Sequence, residues 1–328
     1  MVLKGLIKNL LILFSGVFLF SCNAPRDNPL DPNSTLANLA QIEGSVQTFS
    51  GPRSGISDVS VFWIPANIVV KTDSLGAFII NNIKPIDGLL IFQKKGYTSD
   101  TLSIHWSDSK KITTPVINLN KIPTLDSYSI FSEVNNQSGA TNSGVSQTAE
   151  LSFRVKISDS DNDIDSVYVT NDMLNFTGGL MSQGKIYQAS FYTTDLKVND
   201  LEEIVGYNFD VYVIDNSKRV FLVGSNKVAR VIRSGSDPTS PVNNDSLSLP
   251  VNLKWSQFNA GYPYTYKIEI YNAANTEPLF IRENIPPAQT SVNVDTSAIV
   301  TGDYLWVVYV VDKFLDSYKS QPGKFHIN

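Results

Sequence analysis

Hydrophobic and polar residues alternate along much of the chain, and this period of two is its clearest structural signal. In residues 151–157, one face would carry Leu151, Phe153, Val155 and Ile157, and the other Ser152, Arg154 and Lys156. Successive side chains of a β-strand point to opposite faces, so the spacing predicts a strand with one buried face. Similar short runs lie at 59–63, 68–71, 77–80, 89–93, 116–119, 164–169, 186–192, 207–214, 219–222, 251–255, 266–271, 304–308 and 325–327. No segment sustains the 3.6-residue period of an amphipathic helix, so we expect an all-β fold.

The N-terminus follows a different pattern. Lys4 and Lys8 precede an apolar run at residues 10–20, which ends at Ser21 and Cys22. A basic start, an apolar run and a small residue are typical of a secretory signal, and the run is too short to cross a bilayer about 30 Å thick. An ordinary signal peptide with an incidental cysteine is the alternative interpretation.

The motif Leu19-Phe20-Ser21-Cys22 resembles the bacterial lipoprotein lipobox, except that Phe20 stands where a smaller residue is usual. The resemblance implies that residues 1–21 are removed and that Cys22 is lipidated. The protein would then be held at the membrane by its acyl chains. Asn23 does not resemble an inner-membrane retention signal, so we expect the outer membrane, on either its periplasmic or its cell-surface face.

Turn-forming residues divide the remaining chain into segments. Residues 22–39, with their prolines, are expected to form an extended tether. Short strands at regular spacing then predict three tandem β-sandwich domains at 40–122, 126–233 and 246–328, with a proline-containing linker at 234–245.

The first of these segments resembles the carboxypeptidase regulatory-like (transthyretin-like) domain. The resemblance is carried, in order, by Gly44, Gly55, Val59, Val61, Thr72, Asp73, Gly76, Phe78, Gly96 and Tyr97. It departs from the family at 85–88, where the usual short turn is longer. The resemblance implies a spacer or binding module without catalytic residues, in which Asp73 and Gly76 form a turn.

The other two segments resemble binding modules as well. An aspartate-rich turn at 159–165 with a later Asp215-Asn216 turn resembles bacterial immunoglobulin-like domains. A strand that ends at Trp255 and a late Tyr304-Leu305-Trp306-Val307 strand resemble fibronectin type III-like modules. Both resemblances concern the fold, and neither implies a ligand.

Charge and cysteine content exclude several classes of protein. The formal net charge is −5, from 31 acidic and 26 basic residues, and the basic residues form no cluster. An acidic chain of this kind argues against nucleic acid as a partner. Because the single cysteine is the expected lipidation site, the exported domains would be stabilised without disulfides.

Asp159, Asp161, Asp163 and Asp165 form the most suggestive cluster for metal binding. Calcium takes about six to eight oxygen ligands, and an Asp-x-Asp-x-Asp turn offers several. An EF-hand loop would need Gly and Glu where this chain has Ile164 and Thr170. The pattern therefore leaves two interpretations, a structural calcium site or a solvated acidic turn; we expect no other cofactor.

Aromatic residues offer a second candidate site. Tyr262, Tyr264, Trp106 and the adjacent His105 are expected in turns or at strand ends, where a flat ring can stack on a sugar. The alternative is that they are ordinary surface rings without a ligand. Trp255 and Trp306 are expected in sandwich cores.

No catalytic motif occurs in the chain. Its two histidines, His105 and His326, fall in different predicted domains, and neither Gly-x-Ser-x-Gly nor His-Glu-x-x-His is present. We therefore expect a non-enzymatic structural or interaction lipoprotein, with envelope proteins or polysaccharide as partners. A surface lipoprotein that captures polysaccharide for uptake is the main alternative. A hydrolase accessory protein is a third, because paired carboxylates are not identifiable from sequence.

Overall fold

A computed structural model describes residues 38–137, 146–274 and 277–328. These residues form an all-β chain of tandem β-sandwiches with very little helix. They group into two compact units, which we call unit 1 (up to Ile122) and unit 2 (Pro123–Asn328). The signal peptide, Cys22 and nearly all of the expected tether lie outside the described residues.

Unit 1 contains two small sheets. Its strands are β1 (Ala40–Thr48), β2 (Ser60–Trp63), β3 (Ile68–Lys71), β4 (Ala77–Ile83), β5 (Gly88–Gln93), β6 (Asp100–Ile104), β7 (Lys111–Thr113) and β8 (Ile117–Leu119). A 3-10 helix, Ile64–Ala66, follows β2. One sheet has the order β4-β1-β7, with β8 also paired to β1, and the other has the order β3-β2-β5-β6.

The core of unit 1 follows from the alternation in these strands. Val61 and Trp63 point inward from β2, and Phe78 and Ile80 point inward from β4. The turn between β3 and β4 requires glycine at position 76. Gly76 has φ +80°, and a Cβ there would lie 2.2 Å from the Val46 carbonyl oxygen.

Unit 2 begins with a set of long strands. They are β9 (Thr124–Gln137), β10 (Ser146–Ser158), β11 (Ile164–Asn171), β12 (Phe176–Gln183), β13 (Ile186–Tyr192), β14 (Asn208–Asp215) and β15 (Val220–Lys227). A one-turn α-helix, Thr193–Leu196, and a 3-10 helix, Leu201–Ile204, connect β13 to β14.

The rest of unit 2 contains shorter strands around two long ones. They are β16 (Pro238–Ser240), β17 (Asp245–Leu247), β18 (Val251–Trp255), β19 (Tyr264–Asn272), β20 (Pro278–Ile285), β21 (Ser291–Val294), β22 (Gly302–Asp312), β23 (Ser317–Lys319) and β24 (Gly323–Ile327). Strand β16 lies inside the segment expected to be a linker, and it pairs with β18.

One sheet runs through the whole of unit 2. Its order is β15-β14-β11-β12-β13-β10-β9-β23-β22-β19-β20, with β24 paired to β22 and β17 paired to β24. The parallel pairing of β9 with β23, for example Val134 with Tyr318, joins the earlier strands to the later ones. A smaller sheet, β16-β18-β21, covers the later part.

The hydrophobic residues of unit 2 form two clusters that meet at this pairing. One surrounds Phe153 and Phe209, and the other surrounds Tyr266 and Trp306. Ala149 and Val231 pack against both clusters. The two sandwiches of unit 2 therefore share apolar contacts as well as backbone hydrogen bonds.

Candidate functional site

The aspartates of the acidic turn, residues 159–165, form hydrogen bonds and an ion pair with other groups of the protein. Asp159 accepts backbone N–H hydrogen bonds from Asp161 at 3.3 Å and from Asp163 at 2.9 Å. Asp165 forms an ion pair with Lys218 at 3.0 Å, and the Asp163 carbonyl accepts from the Asn216 amide at 2.8 Å. In the three described ranges, no group of three or more His, Cys, Asp and Glu side chains is placed to hold a metal ion. A carboxylate that accepts main-chain donors is acting as a turn residue.

The same arrangement recurs at other turns of the chain. Asp73 accepts from the amides of Leu75 and Ala77, and Asp312 accepts from those of Phe314 and Asp316. Each aspartate therefore receives the backbone N–H groups two and four positions later. The aspartates of these loops have a common structural explanation, which is the stabilisation of tight turns.

The aromatic residues predicted as a glycan platform have different environments. Tyr264 starts β19, as expected of a strand end, but its side chain lies in the core with 8% of the residue exposed, so the expectation of an accessible ring was wrong. Its hydroxyl contacts the Tyr266 hydroxyl at 3.2 Å. The sequence contained the relevant signal, since Tyr264, Tyr266 and Ile268 continue one period-two pattern. Tyr262 is half-buried, and the Arg230 guanidinium lies 3.9 Å from its ring centre.

His105 and Trp106 belong to unit 1, where Asp87 holds both. The His105 Nδ1 lies 3.0 Å from Asp87 Oδ2, and the Trp106 amide donates to Asp87 Oδ1 at 2.8 Å. The His105 contact holds the pKa of Asp87 below its ordinary value, with the Trp106 amide as the second cause. The Trp106 ring packs partly against the core of unit 1, so only part of it is accessible to a ligand.

A buried charged cluster that sequence reasoning missed lies where β9 meets β23, and we call it the joint. It consists of Arg230, Asp312 and Asp316, with Ser132 of β9. Arg230 Nε lies 3.0 Å from Asp312 Oδ2, whose side chain is 1% exposed. Asp316 Oδ1 accepts from the Ser132 amide at 2.7 Å and lies 2.9 Å from Ser132 Oγ. These contacts tie the turn after β22 to the other sandwich.

The electrostatics of the joint depend on burial. Asp316 is fully buried, and burial raises the pKa of its carboxyl to about 6 from an ordinary 3.8. The Ser132 hydrogen bonds and the Arg230 charge act against burial, and the neighbouring Asp312 charge adds to it. Arg230 thus pairs with Asp312 and partly offsets the repulsion between the two buried carboxylates.

A cleft of about 260 Å³ opens beside the joint, and we call it the junction cleft. Both sandwiches contribute to it, with Phe131 and Glu133 from β9 and Lys267, Glu283, Tyr309 and Leu315 from the later strands and turn. Lys267 Nζ lies 4.1 Å from the Tyr309 ring centre and 2.8 Å from Glu269 Oε1. The cleft therefore combines aromatic rings, which are enriched at protein interfaces, with charged side chains.

Glu269 contacts two side chains that line the cleft, those of Lys267 and Tyr309. It accepts hydrogen bonds from the hydroxyls of Tyr309, at 2.7 Å, and of Tyr271. Burial by itself would raise the pKa of Glu269, but the bonds to Lys267, Tyr271 and Tyr309 outweigh burial, and the pKa lies below its ordinary value. Burial and the hydrogen bond to Glu269 raise the pKa of Tyr271 to about 12. These residues hold one another in place through hydrogen bonds and an ion pair.

The turn between β22 and β23 projects apolar residues beside the cleft. Phe314 and Leu315 are 41% and 49% exposed. Leu315 also has φ +75°, in the left-handed region that non-glycine residues rarely adopt. A bulky apolar residue that is both exposed and strained contributes little to folding, which points to another role for this turn.

Comparisons with known proteins give only fold-level similarity. The chain matches no protein-family model, and it matches none of the curated proteins. Among solved structures, it is similar to fibronectin(III)-like modules of Clostridium thermocellum CbhA, with 13% identity, a TM-score of 0.29 and coverage of 63% of this chain and 93% of that one. It is also similar to the FN1-FN3 domains of chicken CNTN1, with 11% identity, a TM-score of 0.30 and coverage of 84% and 92%. A DUF3823 family protein from Bacteroides ovatus matches at 12% identity, with a TM-score of 0.23 and coverage of 60% and 100%.

Similarity at these TM-scores carries no argument about family or function.

Within the described residues, no helix is long and apolar enough to cross a membrane.

Proposed function

We propose that this chain is a non-enzymatic, lipid-anchored envelope protein that binds a protein partner at the junction cleft of unit 2. The observation that carries the proposal is Leu315, an exposed apolar side chain at φ +75° in a turn that is flanked by the buried Asp312 and Asp316. Folding alone would favour Asn or Gly at such a position. A leucine there is expected where its side chain has a binding role.

The joint supports the proposal because its buried contacts connect the two sandwiches of unit 2. Asp312 accepts from the Phe314 amide at 2.8 Å, and the same carboxylate pairs with Arg230. The turn that carries Leu315 is thus tied to buried groups of the neighbouring sandwich. Preorganised surfaces of this kind lose less conformational entropy when they bind.

The test replaces Leu315 by Asn, a residue that tolerates positive φ. We expect L315N to be as stable as wild type or more stable by about 1 kcal/mol, because left-handed strain is relieved. A photo-reactive amino acid at position 314, in the full-length protein in intact cells, should give discrete cross-linked adducts that L315N removes.

Two controls make this result specific. Leu222 is 58% exposed on β15, so L222N should leave the adducts unchanged. A photo-reactive residue at Val220, 53% exposed on the same strand, should not give the same adducts. Adducts that persist in L315N would exclude the cleft as the binding surface.

The membrane anchor is proposed from the Leu19-Phe20-Ser21-Cys22 motif, and it has a separate test. The wild-type protein should incorporate labelled palmitate and sediment with outer membranes, whereas C22S should lose both properties. Label in C22S, or no label in wild type, would exclude lipidation at Cys22.

A further inference from the structure

A second, chemically different cavity lies in unit 2, and we call it the amide pocket. Its volume is about 620 Å³. Its polar lining comes from the end of β9, from the segment around β16, from the turn between β23 and β24 and from the start of β24. The residues are Asn136, Asp237, Asn243, Asn244, Gln321 and Lys324. We propose that the amide pocket binds an uncharged sugar residue of a glycan.

The side chains of the pocket favour a neutral ligand with many hydroxyl groups. Each Asn or Gln amide offers two N–H donors and one carbonyl acceptor, which suits neighbouring sugar hydroxyls. The only charged residues of the lining are Asp237 and Lys324, of opposite sign, so the described lining is formally neutral. An anionic ligand would meet a carboxylate, and an apolar ligand would leave most of these amides without partners.

One polar atom of the lining already lacks a partner. Asn136 Nδ2 donates to the Tyr318 hydroxyl, but its Oδ1 is buried and has no hydrogen-bond partner among the described residues. Tyr318 in turn bonds to Asp237, whose pKa is raised by burial. Asn136 and Asp237 are therefore both tied to the Tyr318 hydroxyl at this wall of the pocket.

The walls of the pocket are fixed before binding. The Asn244 amide donates to the Lys324 carbonyl at 3.0 Å, and the Val242 amide donates to Asp245 Oδ2 at 3.0 Å. Trp306 Nε1 donates to the Pro241 carbonyl at 2.8 Å. A Cβ at Gly323 would lie 2.4 Å from Trp306 Nε1 and 2.8 Å from the Pro241 oxygen. Only glycine at position 323 allows the backbone to lie this close to Trp306 and Pro241. The Pro241 and Gly323 segments therefore both pack against the buried Trp306 side chain.

The proposal is tested with the mature chain carrying Cys22→Ser, by calorimetry and by affinity electrophoresis. The probes are the neutral polysaccharides dextran, xylan and mannan, with polygalacturonate as the acidic comparison. We expect at least one neutral polysaccharide to bind, and the double variant Q321A/K324M to weaken that binding at least tenfold. The double variant Q183A/K185M removes the same two residue types from the exposed β12–β13 hairpin and should bind as wild type does.

The other outcomes would overturn the proposal. They are no binding of any neutral polysaccharide, equal binding by Q321A/K324M, or a preference for polygalacturonate that is lost at high salt. Thermal unfolding of both double variants separates lost binding from lost folding. The inference does not rest on the junction cleft, because position-314 cross-linking in Q321A/K324M reports on the cleft independently.

Discussion

Two acidic regions of unit 2 invite comparison, the acidic turn at 159–165 and the joint. The acidic turn has four aspartates in seven residues, whereas the joint has only Asp312 and Asp316 in a segment that does not stand out by composition. Yet Asp165 pairs with Lys218 through side chains that are 40% and 71% exposed, whereas Asp312 and Asp316 are almost fully buried. Charge density along the sequence therefore says little about energetic importance, because solvent screens an exposed pair such as Asp165–Lys218 much more strongly than a buried one.

The largest effect on the free energy of unfolding is expected at Arg230. R230M leaves the buried carboxylates of Asp312 and Asp316 without a cation and removes the contact with the Tyr262 ring. We expect the free energy of unfolding to fall by about 2–4 kcal/mol, measured by urea titration at pH 7.

Arg233 provides the matched control for this variant. Arg233 pairs with Asp200 at 2.8 Å and Glu202 at 3.2 Å, but its side chain is half exposed. R233M should cost less than about 1 kcal/mol. If both variants lose the same free energy, the burial of the joint has no energetic consequence and the comparison fails.

A smaller effect is expected at Asp316, and it depends on pH. Because folding raises the pKa of this carboxyl from 3.8 to about 6, its contribution to stability is complete below pH 4 and is lost as the pH rises through 6. D316N keeps an oxygen acceptor for Ser132 but does not titrate. Between pH 4 and pH 7, the free energy of unfolding of the wild type should therefore fall by about 1–3 kcal/mol more than that of D316N.

Urea titrations of both proteins at several pH values measure this difference. The carboxylates remote from Asp316 titrate in both proteins, and their contributions cancel on subtraction. The charged groups that face Asp316 are Asp312 and Arg230, and neither changes in the variant. Parallel pH profiles for the two proteins would show that Asp316 titrates normally in the folded state.

Strands could be predicted from the sequence, whereas contacts between distant segments could not. Local alternation predicted strands such as β13 (Ile186–Tyr192) and β18 (Val251–Trp255) with the bounds that the structure has. The joint depends on Ser132, Arg230 and Asp316, which are distant in sequence and meet only because β9 pairs with β23. No local pattern encodes a parallel pairing across such a separation, so neither the joint nor the junction cleft was predictable.

Two of the strands that the sequence pattern did not predict, β16 and β20, have a local explanation. β16 and β20 both begin at proline, which is typical of turns and sheet edges, and β16 has only three residues. Tyr264 does begin a strand, β19, but its burial was not predicted. The continuing alternation from Tyr264 to Ile268 was the better guide, because a shared face in a buried strand determines burial.

The smallest effect is expected in the acidic turn itself. D159A removes the acceptor for the amides of Asp161 and Asp163 and should cost about 1 kcal/mol in urea titrations. D159N keeps an acceptor oxygen and should lose less than half as much. Because the Asp159 oxygens are already engaged by the backbone, millimolar calcium should leave the melting temperature of the wild type unchanged. A rise in melting temperature with calcium that D159A abolishes would instead assign a metal to the turn, and would give the acidic turn an energetic role comparable with that of the joint.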